Sequence, residues 1–194
     1  MKKNNNFLNT IEYNIQQSLN NLIKINSKKY IRLIHNAAQI CIESIEKNNK
    51  ILFCGNGGSA ADSQHLCAEL VSKFLEERKP YPSIALTTNA SILTSIGNDF
   101  GYDLIFSKQI ESIGRKGDVL IAISTSGKSK NVIKAMIAAK KIGIKVIFLT
   151  GEKIFNKKYT DLIIDAPAKR VDRIQELHIH IGHTICELIE KKIL

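Results

Sequence analysis

Apolar residues recur along the chain in two rhythms. Five short β-branched runs are apolar almost without interruption: KILFCG (50–55), SIALTT (83–88), DVLIAIS (118–124), KVIFLTG (145–151) and DLIIDAP (161–167). Between the first four the period lengthens to that of a helix. Leu66, Leu70, Val71 and Phe74 share one face, as do Val132, Ile133, Met136 and Ala139. Continuous apolar strands alternating with such helices predict an α/β fold, a three-layer, doubly wound parallel sheet of five strands covered on both sides. Flavodoxin-like and Rossmann-like sheets both fit. Ligands of such sheets bind outside the carboxyl ends of the strands, which directs attention to the turns after the first and third strands.

Ahead of the sheet, Leu8, Ile11, Ile15, Leu19, Leu22 and Ile23 repeat at helical spacing, followed by Ile31, Ile34, Ala38, Cys41 and Ile45. A last helix is expected from about Val171 to Lys192. Three long helices carry more apolar surface than one sheet can cover. They either thicken the same domain or bury against other copies of the chain, and burial against other copies is the reading adopted. GEKIFNKKYT (151–160) reads as a loop. The 194 residues are expected to form one domain, with residues 1–48 serving packing and oligomerisation and 49–194 forming the core and last helix.

A formal charge of +10 favours anionic partners, but the lysines are scattered rather than gathered in a stripe. Without a motif that balance gives no case for nucleic acid. Cys41, Cys54, Cys67 and Cys186 form no CxxC pair and lie in apolar surroundings, the pattern of reduced thiols in a cytoplasmic protein. MKKNNNFLNT has no apolar core of a signal peptide, and no run approaches the ~20 residues that span a bilayer, so no membrane role is expected.

Composition leaves the chemistry to the turns. CGNGGSAADSQHLCAEL (54–70) leaves the first strand through three glycines, an asparagine and a serine. Glycines let backbone N–H groups approach a ligand, and Ser59 is placed to cap the next helix, whose N-terminus attracts anions. Gly55-x-Gly57-x-x-Ala60 matches a dinucleotide fingerprint. However, the next strand ends in Thr87, Thr88 and Asn89, without the carboxylate that would hold a ribose, which argues against a nicotinamide cofactor. ISTSGKS (123–129) surrounds Gly127 with the hydroxyls of Ser124, Thr125, Ser126 and Ser129 at a helix start, a phosphate cradle without the P-loop pattern.

His65 and Glu69, four apart on the helix behind the first turn, can share a metal or a substrate, though such a pair is commonly a solvated face. The last helix concentrates Gln175, His178, His180 and His183. Gly182, next to His183, lets a backbone or a ligand come close, whereas His178 and His180 are expected to face solvent or an interface.

CGNGGSAADSQHLCAEL, GNDFG, GDVLIAISTSGKSKNVIKA and RIQELHIHIGHTICELIE, in this order, resemble the sugar isomerase (SIS) domain family and its phosphoheptose isomerase branch. The resemblance runs from about residue 5 to the C-terminus and implies the flavodoxin-like SIS fold. It implies a cytoplasmic homotetramer with active sites at subunit interfaces. The activity implied is aldose–ketose isomerisation of sedoheptulose 7-phosphate to D-glycero-D-manno-heptose 7-phosphate through an enediol. That reaction is the first step toward nucleotide-activated heptose for lipopolysaccharide or other surface glycans. By motif, Asn56, Gly57, Gly58, Ser59, Glu69, Asn98, Asp99, Ser124, Thr125, Ser126, Ser129 and Gln175 would bind substrate. His65, Glu69, Gln175 and His183 would hold one Zn²⁺ per subunit, with Glu69 as base and His183 as acid.

Two features sit less easily. Gln175 and His183 are eight residues apart, roughly 12 Å along a straight helix and roughly 80° around it. Lys128 stands where the family commonly has asparagine, either adding charge near the phosphate or pointing outward. A competing reading is a non-catalytic phosphosugar-binding adaptor of the same family, such as one associating with a replication initiator; it would have no chemical need for His65, Glu69, Gln175 and His183 together. Another aldose–ketose isomerase is the rival within the enzymes.

Overall fold

The computed structural model describes residues 2–152 and 157–193, with side chains from residue 6 onward. The first strand, β1 (Ile51–Cys54), follows two long helices, α1 (Lys2–Ile25) and α2 (Lys28–Glu46). Then come α3 (Gly58–Val71), β2 (Ser83–Ala85), α4 (Ala90–Phe100), α5 (Ser107–Ile113), β3 (Val119–Ser124), α6 (Lys130–Ile142), β4 (Lys145–Thr150), β5 (Leu162–Asp165) and α7 (Val171–Ile193). The five strands are all parallel, in the order β2-β1-β3-β4-β5. That is the flavodoxin-like order, whose reversal point lies between β1 and β3.

Because side chains alternate across a strand, each run splits between two cores. Ile51, Phe53, Ile121, Ile123, Ile147 and Leu149 face α2, α3 and α7. Leu52, Cys54, Leu120, Ala122, Val146 and Phe148 face α5 and α6. Burying each large side chain fully contributes roughly 1.5–3 kcal/mol, so the uninterrupted apolar runs suit a sheet covered on both sides. At the sheet's edge, β2 is only three residues long and leaves Ile84 exposed.

The terminal helices divide differently from the sequence expectation. Both α2 and α7 are a layer of the sandwich, burying Ile34, Ala37, Ala38, Cys41, Ile42, Ile174, Leu177, Ile181 and Ile185. Only α1 keeps a long apolar stripe in solvent: Leu8, Ile11, Ile15, Leu19, Leu22 and Ile23 are 40–70% exposed. It is tied to α7 by polar bonds instead. The Arg170 guanidinium donates to Asn14 Oδ1 at 2.8 Å, and Ser18 Oγ donates to Glu176 Oε2 at 2.9 Å. The face predicted for α3 is shorter than expected, because the helix ends at Val71, itself 44% exposed, and Phe74 lies in the segment beyond.

In the stretch 151–160, residues 153–156 lie outside those described, and Lys157–Tyr159 form a single 3-10 turn. Cys41, Cys54 and Cys186 are buried and unpaired. Burial pushes the Cys54 and Cys186 thiols up to about 12, which leaves them protonated and unreactive. Among the described residues no helix is long and apolar enough to cross a membrane.

Candidate active site

Two turns at the carboxyl end of the sheet and one face between α3 and α7 carry the candidate residues. After β1 the chain enters α3 through Gly57, which holds the N-cap position with φ +56°, a left-handed conformation that a side chain would strain. Ser59 is therefore not the cap. It sits one residue inside the helix, buried, and its carbonyl accepts from Ser63 Oγ at 2.8 Å. Gly58 is needed for a different reason. A Cβ there would overlap the Gln175 side-chain amide, so α7 lays that amide directly on the turn.

The turn after β3 gathers its hydroxyls. Ser124 Oγ lies 2.9 Å from Ser129 Oγ and 3.5 Å from Ser126 Oγ. Ser126 Oγ also accepts the Lys128 backbone N–H at 3.2 Å, and Gly127, with φ +67°, closes the turn onto the Ser124 carbonyl. Ser129 occupies the N-cap of α6 without capping it, its hydroxyl turned to Ser124. Thr125 is half-buried and its carbonyl accepts from Gly151 N–H. Three hydroxyls thus converge at the positive end of a 13-residue helix, a setting that favours an anion.

The two turns are tied together by Asn56 and by two residues not singled out from the sequence, Asn131 and Tyr102. Asn56 and Asn131 exchange amide hydrogen bonds of 2.8 and 2.9 Å. Tyr102 Oη donates to Asn56 Oδ1 at 3.0 Å. The available signal was position: Asn131 falls in the first turn of the helix that the serine-rich stretch opens. Asn98 and Asp99 lie exposed near the end of α4, with Asn98 Nδ2 donating to Asp99 Oδ1 at 2.8 Å.

Further along the same helices, His65, Glu69 and His183 come together. His65 Nε2 lies 3.0 Å from Glu69 Oε1 and 3.1 Å from His183 Nε2. One ligand atom from each of the three lies within 4.8 Å of the others. Burial pushes the His183 pKa down, with His65 and His180 adding to the effect and Glu69 opposing it, so the imidazole is neutral and able to donate a lone pair. Asp62, one turn before His65, has its pKa raised to about 6 by burial, against the pull of His65.

The other histidines of α7 separate. His178 does not face solvent: it is fully buried, with Nε2 3.1 Å from the Thr150 carbonyl, and burial lowers its pKa to about 4. His180 is exposed. Gly182 admits neither ligand nor backbone, because a Cβ there would overlap the side chain of Leu66, which fills the notch between α3 and α7.

A parallel sheet of this order, with an anion-ready turn at its reversal point and a nitrogen–oxygen cluster beside it, defines an α/β protein built to hold a phosphorylated small molecule. The chain belongs to the SIS domain family, whose pattern matches residues 14–151, and within it to the phosphoheptose isomerases. A phosphoheptose isomerase of Clostridium acetobutylicum is 49% identical over 187 residues, covering 95% of this chain and 95% of its own. Among solved structures, the phosphoheptose isomerase of Neisseria gonorrhoeae superposes with a TM-score of 0.88 at 39% identity, covering 95% of this chain and 99% of that one. That of Francisella tularensis gives 0.89 at 33% identity, covering 95% and 98%.

Proposed function

We propose that the protein is an aldose–ketose isomerase that converts sedoheptulose 7-phosphate to D-glycero-D-manno-heptose 7-phosphate, opening a route to activated heptose for surface glycans. The observation that carries this reading is the convergence of His65, Glu69 and His183 in a chain 49% identical to a phosphoheptose isomerase. The phosphate would sit in the Ser124–Ser126–Ser129 cradle, with Thr125 and Ser59 beside it. Asn56, Gly57, Gly58 and Gln175 would line the path toward the cluster. Seven residues of α3 separate Gly58 from His65, an axial offset of roughly 10 Å.

Isomerisation requires removing a proton from C1, next to the C2 carbonyl of the ketose. The C–H electron pair becomes the C1–C2 double bond as O2 takes a proton, which gives the enediol. Return of a proton to C2, with loss of the O1 proton, gives the aldose. Glu69 is the base for the carbon-bound proton. Its Oε1 is engaged by His65, which leaves Oε2 for that transfer. His183 serves the oxygen protons as acid through Nδ1–H, since its Nε2 is turned to His65. Each such proton transfer is worth typically ~10²–10⁴-fold in rate.

The donor set fits a zinc ion. Two imidazole Nε2 atoms at 3.1 Å and a carboxylate oxygen at 3.0 Å have the spacing of ligands around one tetrahedral ion, roughly 3.3 Å apart. His65, Glu69 and His183 would hold the ion, with Gln175 as the fourth ligand proposed from the resemblance. Bound zinc supplies a Lewis acid that polarises the sugar carbonyl.

A homotetramer with shared sites completes the reading. The exposed stripe of α1 borders an apolar groove of about 700 Å³ lined by Leu19, Leu22, Ile23, Ile31, Ile34 and Leu188. Helix α4, which carries Asn98 and Asp99, buries no residue within the chain. Both surfaces suit cover by another copy.

The test is incubation with sedoheptulose 7-phosphate, with and without added zinc, followed by NMR. Appearance of the manno-heptose 7-phosphate supports the isomerase. Bound ketose without turnover under both conditions would refute it in favour of a phosphosugar-binding module.

A further inference from the structure

Glu190 carries a charge in the protein interior, 1% exposed, seven residues and therefore two turns beyond His183 on the same side of α7. A buried carboxylate without partners is strongly disfavoured, and this one is saturated. It accepts the backbone N–H groups of Phe74 at 3.2 Å, Leu75 at 2.8 Å and Glu76 at 3.1 Å, and Arg78 Nε at 2.8 Å. Arg78 is itself buried and reaches back to the end of α3. It donates to the Glu69 carbonyl at 2.7 Å and the Leu70 carbonyl at 3.0 Å, with its guanidinium 4.0 Å from the centre of the Tyr81 ring. One carboxylate thus holds four residues of the segment between α3 and β2.

That segment touches the candidate site at two points. Arg78 holds the main chain of Glu69. Phe74 stacks on His183, with ring centres 5.6 Å apart and planes 28° from parallel. A metal-ligating histidine is ordinarily oriented by a hydrogen bond from its second ring nitrogen to a carboxylate or carbonyl. Among the described residues His183 has its hydrogen bond at Nε2, toward His65, and no partner at Nδ1. The face of Phe74 is instead what packs against the ring.

We propose that Glu190 is a positioning residue of the isomerase site, acting with Arg78 to seat Phe74, which fixes the His183 ring against His65 and Glu69. The proposal deepens the isomerase reading and rests on it for its kinetic consequence. The backbone bonds explain why the arrangement is specific. Glu190 grips Phe74 by its amide and not by its ring, so the ring is aimed by the local backbone and remains turned to His183.

The decisive variants are Phe74→Leu, which keeps apolar bulk but removes the ring face, and Phe74→Tyr, which restores it. Kinetics with sedoheptulose 7-phosphate, zinc affinity by dye competition and Tm are measured for each. Phe74→Leu is expected to lower kcat and zinc affinity about tenfold each, the lower end of the range for residues orienting metal ligands, with KM and Tm nearly unchanged. Phe74→Tyr is expected to recover both. Glu190→Gln should lower kcat and zinc affinity likewise, with a fall in Tm because the buried Arg78 loses its counter-charge, and its kinetic loss should not multiply with that of Phe74→Leu, since both act through one ring. Wild-type kcat and zinc affinity in Phe74→Leu, or no recovery in Phe74→Tyr, would overturn the proposal. If Glu190→Gln does not fold, the Phe74 pair decides alone. Zinc affinity keeps the two readings apart: wild-type protein that binds zinc but does not turn over the ketose sinks the isomerase reading, while the Phe74 variants still test the positioning.

Discussion

Asn56 and Asn131, 75 residues apart, exchange reciprocal hydrogen bonds through their side-chain amides. The Asn56 oxygen also takes the Tyr102 hydroxyl, so both of its lone pairs are engaged, and only one amide N–H remains for a ligand. Asn56 therefore serves the site mainly by holding the first turn against α6. Asn131→Asp should break one of the two bonds and face a carboxylate oxygen toward the Asn56 oxygen. The expected outcome is a fall of roughly tenfold in kcat/KM, from a loss of about 1–2 kcal/mol. Steady-state kinetics check it, and an unchanged kcat/KM would mean the two turns need no such tie.

Glu69→Gln preserves shape and removes the proposed base. Turnover should fall by about 10²–10⁴-fold, while the circular dichroism spectrum and the oligomeric mass stay those of the wild type. Activity within a few-fold of wild type would assign proton abstraction to another group.

The strands, α1, α2, α3, α6 and α7, and the place of the two candidate turns were legible in the sequence because they depend on local period and turn chemistry; α4 and α5 were not singled out. What was not legible depends on meetings between distant segments. His178 and His183 look alike in RIQELHIHIGHTICELIE, yet the neighbouring Thr150 carbonyl draws one into the core, while α3 brings His65 to the other. Gly182 reads equally as a ligand notch or a packing notch until Leu66 is seen to fill it. Phe74 fits the periodicity of α3 but falls beyond its end, where Glu190 holds the backbone. Gly57, not Ser59, holds the N-cap of α3, because the chain turns through a left-handed conformation there.

Ser126→Ala removes one hydroxyl of the cradle without touching His65, Glu69 or His183. It should raise KM severalfold to tenfold, corresponding to about 1 kcal/mol, and leave kcat nearly constant, since the phosphate is bound alike before and during the reaction. Inorganic phosphate should inhibit the variant less than the wild type. Unchanged KM together with unchanged phosphate inhibition would locate the phosphate elsewhere.

Acid should destabilise the protein through His178. Its pKa is about 4 in the folded state against 6.5 for the free side chain, so between those values the unfolded chain binds the extra proton. The stability contributed is complete above pH 6.5 and is lost as the pH falls through 4. At 1.36 kcal/mol per unit the loss amounts to at most about 3 kcal/mol. His178→Gln keeps a donor for the Thr150 carbonyl and lacks the titration. Urea midpoints measured from pH 7 to 4 should therefore drop less steeply in the variant, and equal slopes would contradict the assignment.

The α1 stripe gives the remaining prediction. Arg170, just before α7, and Ser18 make polar bonds between the helix and α7, and apart from the buried Ile25 the apolar stripe of α1 is left outside the domain's own core. Leu19, 48% exposed, lies where that stripe meets the groove beside Ile31, Ile34 and Leu188. If another copy covers this surface, Leu19→Glu buries an unpaired carboxylate in an apolar contact. A penalty of about 3–4 kcal/mol would weaken association several hundredfold. Light scattering should then report a smaller species than the wild type at the same concentration. Turnover should fall with it, because sites at the interface would come apart. Near-unchanged Tm at the level of the separated chain would separate this from misfolding, since the residue is already half in solvent. A variant of wild-type mass and activity would remove α1 from the interface and leave its apolar face unexplained by assembly.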